Sequence, residues 1–213
     1  MFELVLAVLM LALFAAVWVW QNPGVVRGRL GAQEIEQLML RVERLPFPDA
    51  ARAEVRSRLR SWLESDDGKP FIMLNLMRYY PELRPLPCAP LFEGTPRESN
   101  ARYEAAVTPM LLRVGGYPLY SGTPHGKNIL EHDPALDDWS RLVLVRYPSR
   151  RAFMKLVTNP AYPAIEPYKL MALQVMLTPT RAELLVPSVS SVFGGILLVM
   201  FLSIGWARAA GVL

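Results

Sequence analysis

Apolar residues in this chain fall into two patterns. Near each end they run on without a charge, over residues 4–20 and 184–207. Between those runs they recur with the spacing of amphipathic helices and half-buried strands. The stretch 139–168, WSRLVLVRYPSRRAFMKLVTNPAYPAIEPY, organises the middle of the chain. Residues 139–147 read as a strand. Pro148-Ser149 turns the chain, and 149–158 reads as a helix with Phe153 and Leu156 on one face, stopped at Asn159-Pro160. An irregular tail to 168 then leads into a strand over 169–178.

The preceding residues supply a matching half. FIMLNLMRY, 71–79, reads as a first strand. Prolines at 81, 85, 87 and 90 make 80–94 a long irregular loop. Thr95-Pro96-Arg97-Glu98 reads as a capping box with proline at the first helical position. The helix it opens places Tyr103, Val107, Met110, Leu111 and Val114 on one face, with a kink expected at Pro109 and an end at Gly115-Gly116. Residues 117–122 read as a short strand, followed by a polar loop to 138. The order βαββαβ predicts an α+β fold, the ferredoxin-like plait, with helices on one face of a four-stranded antiparallel sheet.

Alternation sorts the strand residues into two faces. One set, Ile72, Leu74, Leu76, Leu142, Leu144, Leu173, Val175 and Leu177, is aliphatic and is expected under the helices. The other is mixed: Met73, Asn75, Met77, Tyr79, Arg141, Val143, Val145, Tyr147, Ala172, Gln174 and Met176. With no further helix layer in the sequence to cover it, this face is expected to meet a second copy, giving a homodimer that encloses a lumen.

The flanking runs predict transmembrane helices over 3–21 and 184–207, the first short and edged by Trp18 and Trp20, the second long enough to tilt. Residues 28–68 read as a juxtamembrane helical connector. Its first helix has Ile35, Leu38, Val42 and Leu45 on one face and is broken by Pro46 and Pro48. Its second, capped by Asp49, has Val55, Leu59, Trp62 and Leu63 opposite Arg52, Arg56, Arg58 and Arg60. The α/β domain is expected over 69–180. Arg27, Arg29 and Arg181 flank it, so the positive-inside bias predicts a two-span membrane protein with a cytoplasmic central domain and lipid around its helices.

Charge and composition narrow the chemistry. The 213 residues carry 23 basic and 19 acidic side chains, with no Lys/Arg block dense enough for a nucleic-acid surface. Cys88 is the only cysteine, so no internal disulfide is possible. His125 and His132 share the polar loop with Glu131, Asp133, Asp137 and Asp138, but at a spacing that matches no metal motif, and no metal is expected. No nucleophile elbow, phosphate-cradling glycine loop or Cys/His pair occurs. What remains for a small-molecule site is Asn75, Arg141 and Gln174 facing the lumen, with Tyr79, Tyr120 and Tyr147 near its mouth. Arginine suits a carboxylate or enolate, and an amide suits a carbonyl oxygen.

MLNLMRY, Tyr103 ahead of Gly115-Gly116, Tyr120-x-Gly122, WSRLVLVRYPSRRAF and NPAY together resemble a family of uncharacterised ferredoxin-like domains in the dimeric α/β-barrel superfamily, over about 71–178. The resemblance implies a dimer with a ligand-sized lumen. Relatives in that superfamily include cofactor-independent monooxygenases, haem-degrading monooxygenases and muconolactone-type isomerases. Asn75 and Trp139 match the haem degraders in kind, but no histidine follows His132, so the iron ligand is absent. No cofactor is expected. Two functions fit: a binder of a small, largely apolar molecule, acting as a cofactor-independent monooxygenase or isomerase, or a non-catalytic subunit of a larger membrane complex.

Overall fold

A computed structural model gives the fold, describing residues 2–43, 45, 49–86, 89–130, 138–185 and 189–211. The chain divides into two compact units, Met1–Arg181 and Ala182–Leu213. In the first, helices α1 (Phe2–Gln21), α2 (Gly24–Arg27), α3 (Ala32–Val42) and α4 (Asp49–Glu64) precede β1 (Phe71–Tyr79), α5 (Pro96–Arg113), β2 (Tyr117–Gly122) and β3 (Arg141–Tyr147). Then come α6 (Arg150–Val157), a 3-10 turn (Tyr162–Ala164), α7 (Glu166–Ala172) and β4 (Leu173–Thr180). The second unit holds α8 (Val189–Ala209).

The four strands form one antiparallel sheet in the order β2-β3-β1-β4, the order of the ferredoxin-like plait. The strand after α6 begins at Leu173, later than the expected 169. Residues 166–172 are helical instead, because Pro167 at the first turn and Glu166 near its start favour a helix that periodicity alone did not reveal.

The cap and stop signals between β1 and β2 hold. Thr95 Oγ1 accepts from the Glu98 backbone N–H at 3.3 Å, and the Glu98 carboxylate accepts from Thr95 N–H at 2.7 Å. Those bonds keep the Glu98 carboxyl below its usual range. Thr95→Ala is expected to lower stability by about 1 kcal/mol in urea unfolding, the usual cost of an N-cap; an unchanged midpoint would show the box to be idle. Pro109 lies within α5, which continues to Arg113. Gly115 ends the turn at φ +78°. A Cβ there would meet Pro148 at 3.2 Å and the Trp20 ring at 3.4 Å, so the position needs glycine twice over.

The two faces of the sheet are reversed from expectation. Phe71, Met73, Asn75 and Met77 are buried, and Tyr147 with them, on the side the helices cover. There Phe71 stacks on Tyr147 at 5.3 Å, Trp62 and Phe153 pack edge-on, and Tyr103, Leu111, Leu156, Tyr162, Tyr168 and Met171 complete the cluster. The aliphatic residues Ile72, Leu74, Leu76, Leu142 and Leu144 line the opposite, half-exposed face. Leu173, Val175 and Leu177 do not join them. β4 pairs so that Val175 lies opposite Met77 and Leu177 opposite Asn75, which puts them on the helix side and Gln174 and Met176 on the open one. The reason is burial: Phe71, Met73, Met77 and Tyr147 together remove more side-chain surface from water than the leucines opposite.

The connector folds as its pattern requires. Ile35, Leu38, Met39, Val42 and Leu45 bury against Leu63 and Met154, with Leu59 and Trp62 beside them. Arg58 pairs with Glu54, Arg60 with Glu36 at 2.5 Å and Glu64 at 3.8 Å, and Arg56 with Glu43 at 2.7 Å. The arginine row is therefore a paired face. Pro46 and Pro48 lie outside the described residues, as does the side chain of Asp49.

The membrane reading is corrected. Among the described residues no helix is long and apolar enough to cross a bilayer. A span needs about 20 consecutive apolar residues free to meet lipid. The last turn of α1 is committed to the protein instead. Arg146 donates to the Gln21 side chain at 2.6 Å and to its backbone carbonyl at 3.1 Å, and Gln21 donates to Gly115 O at 3.3 Å. Helix α8 starts at Val189, not at residue 184, and carries Arg208 in its last turn. The two spans, and with them the two-span membrane placement and its cytoplasmic orientation, fall.

Candidate functional site

Where α5 and α7 cross the helix-side face of the sheet, the aromatic packing gives way to polar groups. β1 supplies Asn75, buried at 8 % exposure. Its Nδ2 donates to Met73 O at 3.1 Å and Val143 O at 3.3 Å. Both donors are thereby spent, which fixes the amide the right way round and turns Oδ1 toward α7. There it accepts a hydrogen bond from Lys169 Nζ at 3.3 Å.

Lys169 is the unusual member. Its ammonium sits 5.3 Å over the Tyr103 ring. Burial pulls its pKa down to about 8, although Glu104 and Glu166 act to raise it. Burial likewise raises the Glu166 carboxyl, against the pull of Lys169. Tyr103 is pushed up to about 12 by burial, and its hydroxyl pairs with that of Tyr162 at 3.3 Å. An ammonium offers three donors, and among the described residues this one makes a single hydrogen bond.

Glu104 links this interior to solvent. It accepts from Arg141 at 2.9 Å and from Asn100 Nδ2 at 3.0 Å. Arg141 also donates to Ser121 Oγ at 3.1 Å at the rim. Asn100 is 1 % exposed, and its second amide contact is the Tyr79 hydroxyl at 3.3 Å. Glu104 dictates that the amide points its donors that way, so Oδ1 is left buried without a partner among the described residues. A buried acceptor of that kind costs roughly 1–3 kcal/mol unless something fills it. Vacant donors on Lys169 and a vacant acceptor on Asn100 thus share one cluster.

Of the six residues expected to line a site, Asn75, Tyr79 and Arg141 come together here. Tyr147 lies on the same face but inside the aromatic core, where burial raises its hydroxyl far above the ordinary range. Gln174 and Tyr120 are exposed on the opposite face. The six do not converge in one lumen, because the mixed face is the helix side. His125 is exposed, and His132, Glu131, Asp133, Asp137 and Cys88 lie outside the described residues. Lys169, Glu104, Glu166 and Asn100 were missed. A signal existed: Asn100, Tyr103 and Glu104 share one face of α5, and Glu166 and Lys169 stand three apart on α7.

No family model matches this chain. No curated protein matches it either. Among solved structures it is similar to a protein of unknown function from Rhodopseudomonas palustris, at 26% identity and a TM-score of 0.50, over 63% of this chain and 94% of that one. It also matches SnoaB, described as a cofactor-independent oxygenase from Streptomyces nogalater, at 13% identity and a TM-score of 0.37, over 56% of this chain and 99% of that one. A likeness that weak decides neither fold nor chemistry, and the plait rests on the strand order above.

Proposed function

We propose that this chain is one subunit of a homodimeric α/β-barrel protein that binds a small, largely apolar molecule bearing a carbonyl or acidic oxygen. Lys169, Asn75 and Asn100 form the polar end of the site. The observation that carries the reading is the Lys169 ammonium, with donors to spare, in one polar cluster with Asn100, whose Oδ1 also lacks a partner among the described residues. Few polar groups among apolar walls are the usual make-up of a small-molecule site, and a lysine shifted by burial is a common functional group. Near pH 8 a substantial share of Lys169 is neutral and can take a proton from carbon next to a carbonyl, while Tyr79, Arg141 and Glu104 frame the entrance. An isomerase would return that proton elsewhere on the ligand. A cofactor-independent monooxygenase would let the resulting carbanion meet dioxygen.

The dimer is supported by the open face of the sheet. Ile72, Leu74, Leu76, Leu142 and Leu144 stand there together, with Met176 42% exposed and Tyr120 55% exposed beside them. This apolar strip, edged by Arg78, Arg146 and Gln174, is the kind of surface a second copy covers. Native mass spectrometry tests both halves of the reading. The purified chain is expected at the mass of two copies, and Leu144→Glu, which sets a charge mid-face, at one. A single-copy wild type, or a dimer untouched by Leu144→Glu, would end the barrel reading. A dimer that takes up no carbonyl probe at Lys169 would leave only a non-catalytic subunit.

A further inference from the structure

A hollow of about 380 Å³ lies between the α1–α2 corner and α6. Arg27, Arg113, Arg151 and Lys155 line it, and Trp20 and Val26 form part of an apolar wall. Among the described residues Glu34 takes Arg151 through two oxygens, at 2.5 and 2.8 Å, and the charge of Asp66 also acts on Arg151. Arg151, by that hydrogen bond, holds the Glu34 carboxyl below its usual range, and Lys155 and Arg27 add to the effect. Of the four cations, Arg151 alone is held in an ion pair among the described residues. Among the described residues the side chains of Arg27, Arg113 and Lys155 have no hydrogen-bond or ion-pair partner.

Each of those three sits in the last turn of its helix, where the helix dipole favours a cation. That accounts for each one separately. It does not account for three separate helices bringing them to one hollow with an indole on its wall. Like charges brought together repel unless an anion joins them. Three cations in excess match a dianion better than a monoanion, and the wall calls for an apolar body behind it.

We propose that this hollow binds a phosphate monoester of an apolar, ring-bearing alcohol. The phosphate oxygens take Arg27, Arg113 and Lys155, and the ring lies against Trp20 and Val26. The site is separate from the Lys169 cluster, and the proposal does not depend on the function assigned there.

Isothermal titration of the full chain with phenyl phosphate tests it, beside phenol and inorganic phosphate. Phenyl phosphate is expected to bind at least about tenfold more tightly than either fragment. The double variant Arg113→Gln/Lys155→Gln is expected to lose about tenfold or more, the scale of a lost charged contact. Both residues are exposed, so thermal melting of the variant should match the wild type. Should it not, Arg27→Gln alone serves the same purpose. Absence of binding by the wild type, equal affinity in a folded variant, or phenol binding as well as its phosphate would overturn the proposal. Inorganic phosphate binding as well as the ester would overturn the part played by the Trp20 wall.

Discussion

Lys169→Met is expected to raise thermal stability at pH 7 while removing all reaction with a carbonyl probe. In the unfolded chain the lysine titrates near its ordinary 10.5, and in the fold near 8. Between those values the unfolded chain binds more protons, so stability rises with pH across the window. Below pH 8 the fold carries the whole penalty, on the order of 3 kcal/mol as an upper bound. Methionine of similar length avoids that penalty and forfeits one hydrogen bond to Asn75, about 1 kcal/mol. The net gain is roughly 2 kcal/mol at pH 7, and it should shrink toward pH 10. Melting curves from pH 7 to 10 check this: the wild type climbs and the variant stays flat. The window stops at 10 because unfolded tyrosines ionise there while Tyr103, at about 12, does not, which tips stability the other way. Acetylacetone supplies the second readout. A neutral, enclosed amine condenses with it and releases water, adding mass at residue 169 that the variant cannot acquire. A variant less stable than wild type at pH 7 would mean that Lys169 is a structural cation. A wild type that gains no mass would remove the functional reading.

Met154→Ala is the largest stability loss expected. Met154 is fully buried on α6, and it packs into the cluster of Leu30, Ile35, Leu38, Met39, Val42, Leu45 and Leu63. Truncating a buried methionine typically costs 2–5 kcal/mol, part in transfer and part in the cavity left behind, so about 3 kcal/mol is expected in urea unfolding. Leu112→Ala, at a position 50% exposed, should cost less than about 0.5 kcal/mol. The comparison has a structural point. Met154 belongs to the plait, and its neighbours belong to the 28–68 connector. A loss under 1 kcal/mol would mean that the connector helices are an appendage and not part of the domain's core.

Much of the architecture was open to a reader of the sequence. The capping box at Thr95, the stop at Gly115 and the turn at Pro148-Ser149 each rest on contacts within a few residues, and the strand 71–79 shows in its local residue types, so neighbours in the chain were enough to find them. The site was less open. Asn75, Tyr79 and Arg141 were picked out as polar residues in apolar strands, and that oddity is local. Lys169 was passed over because it was assigned to a strand end, where a lysine needs no explanation. Its meaning comes from Asn75, 94 positions away, and from Glu104 on another helix. The apolar end runs misled for a related reason. Their composition suits lipid, but where a helix starts, and whether its last turn is tied to Arg146, are facts of the folded chain.

The sequence by itself determined the order of elements, the βαββαβ plait and the amphipathic faces of the connector, because period and caps are set by backbone geometry. Only the tertiary structure decided which face of the sheet the helices cover. Alternation yields two faces without naming them; the choice went to the one whose long aromatic and polar side chains could bury more surface under α5 and α7 and find Lys169 and Glu104 waiting there.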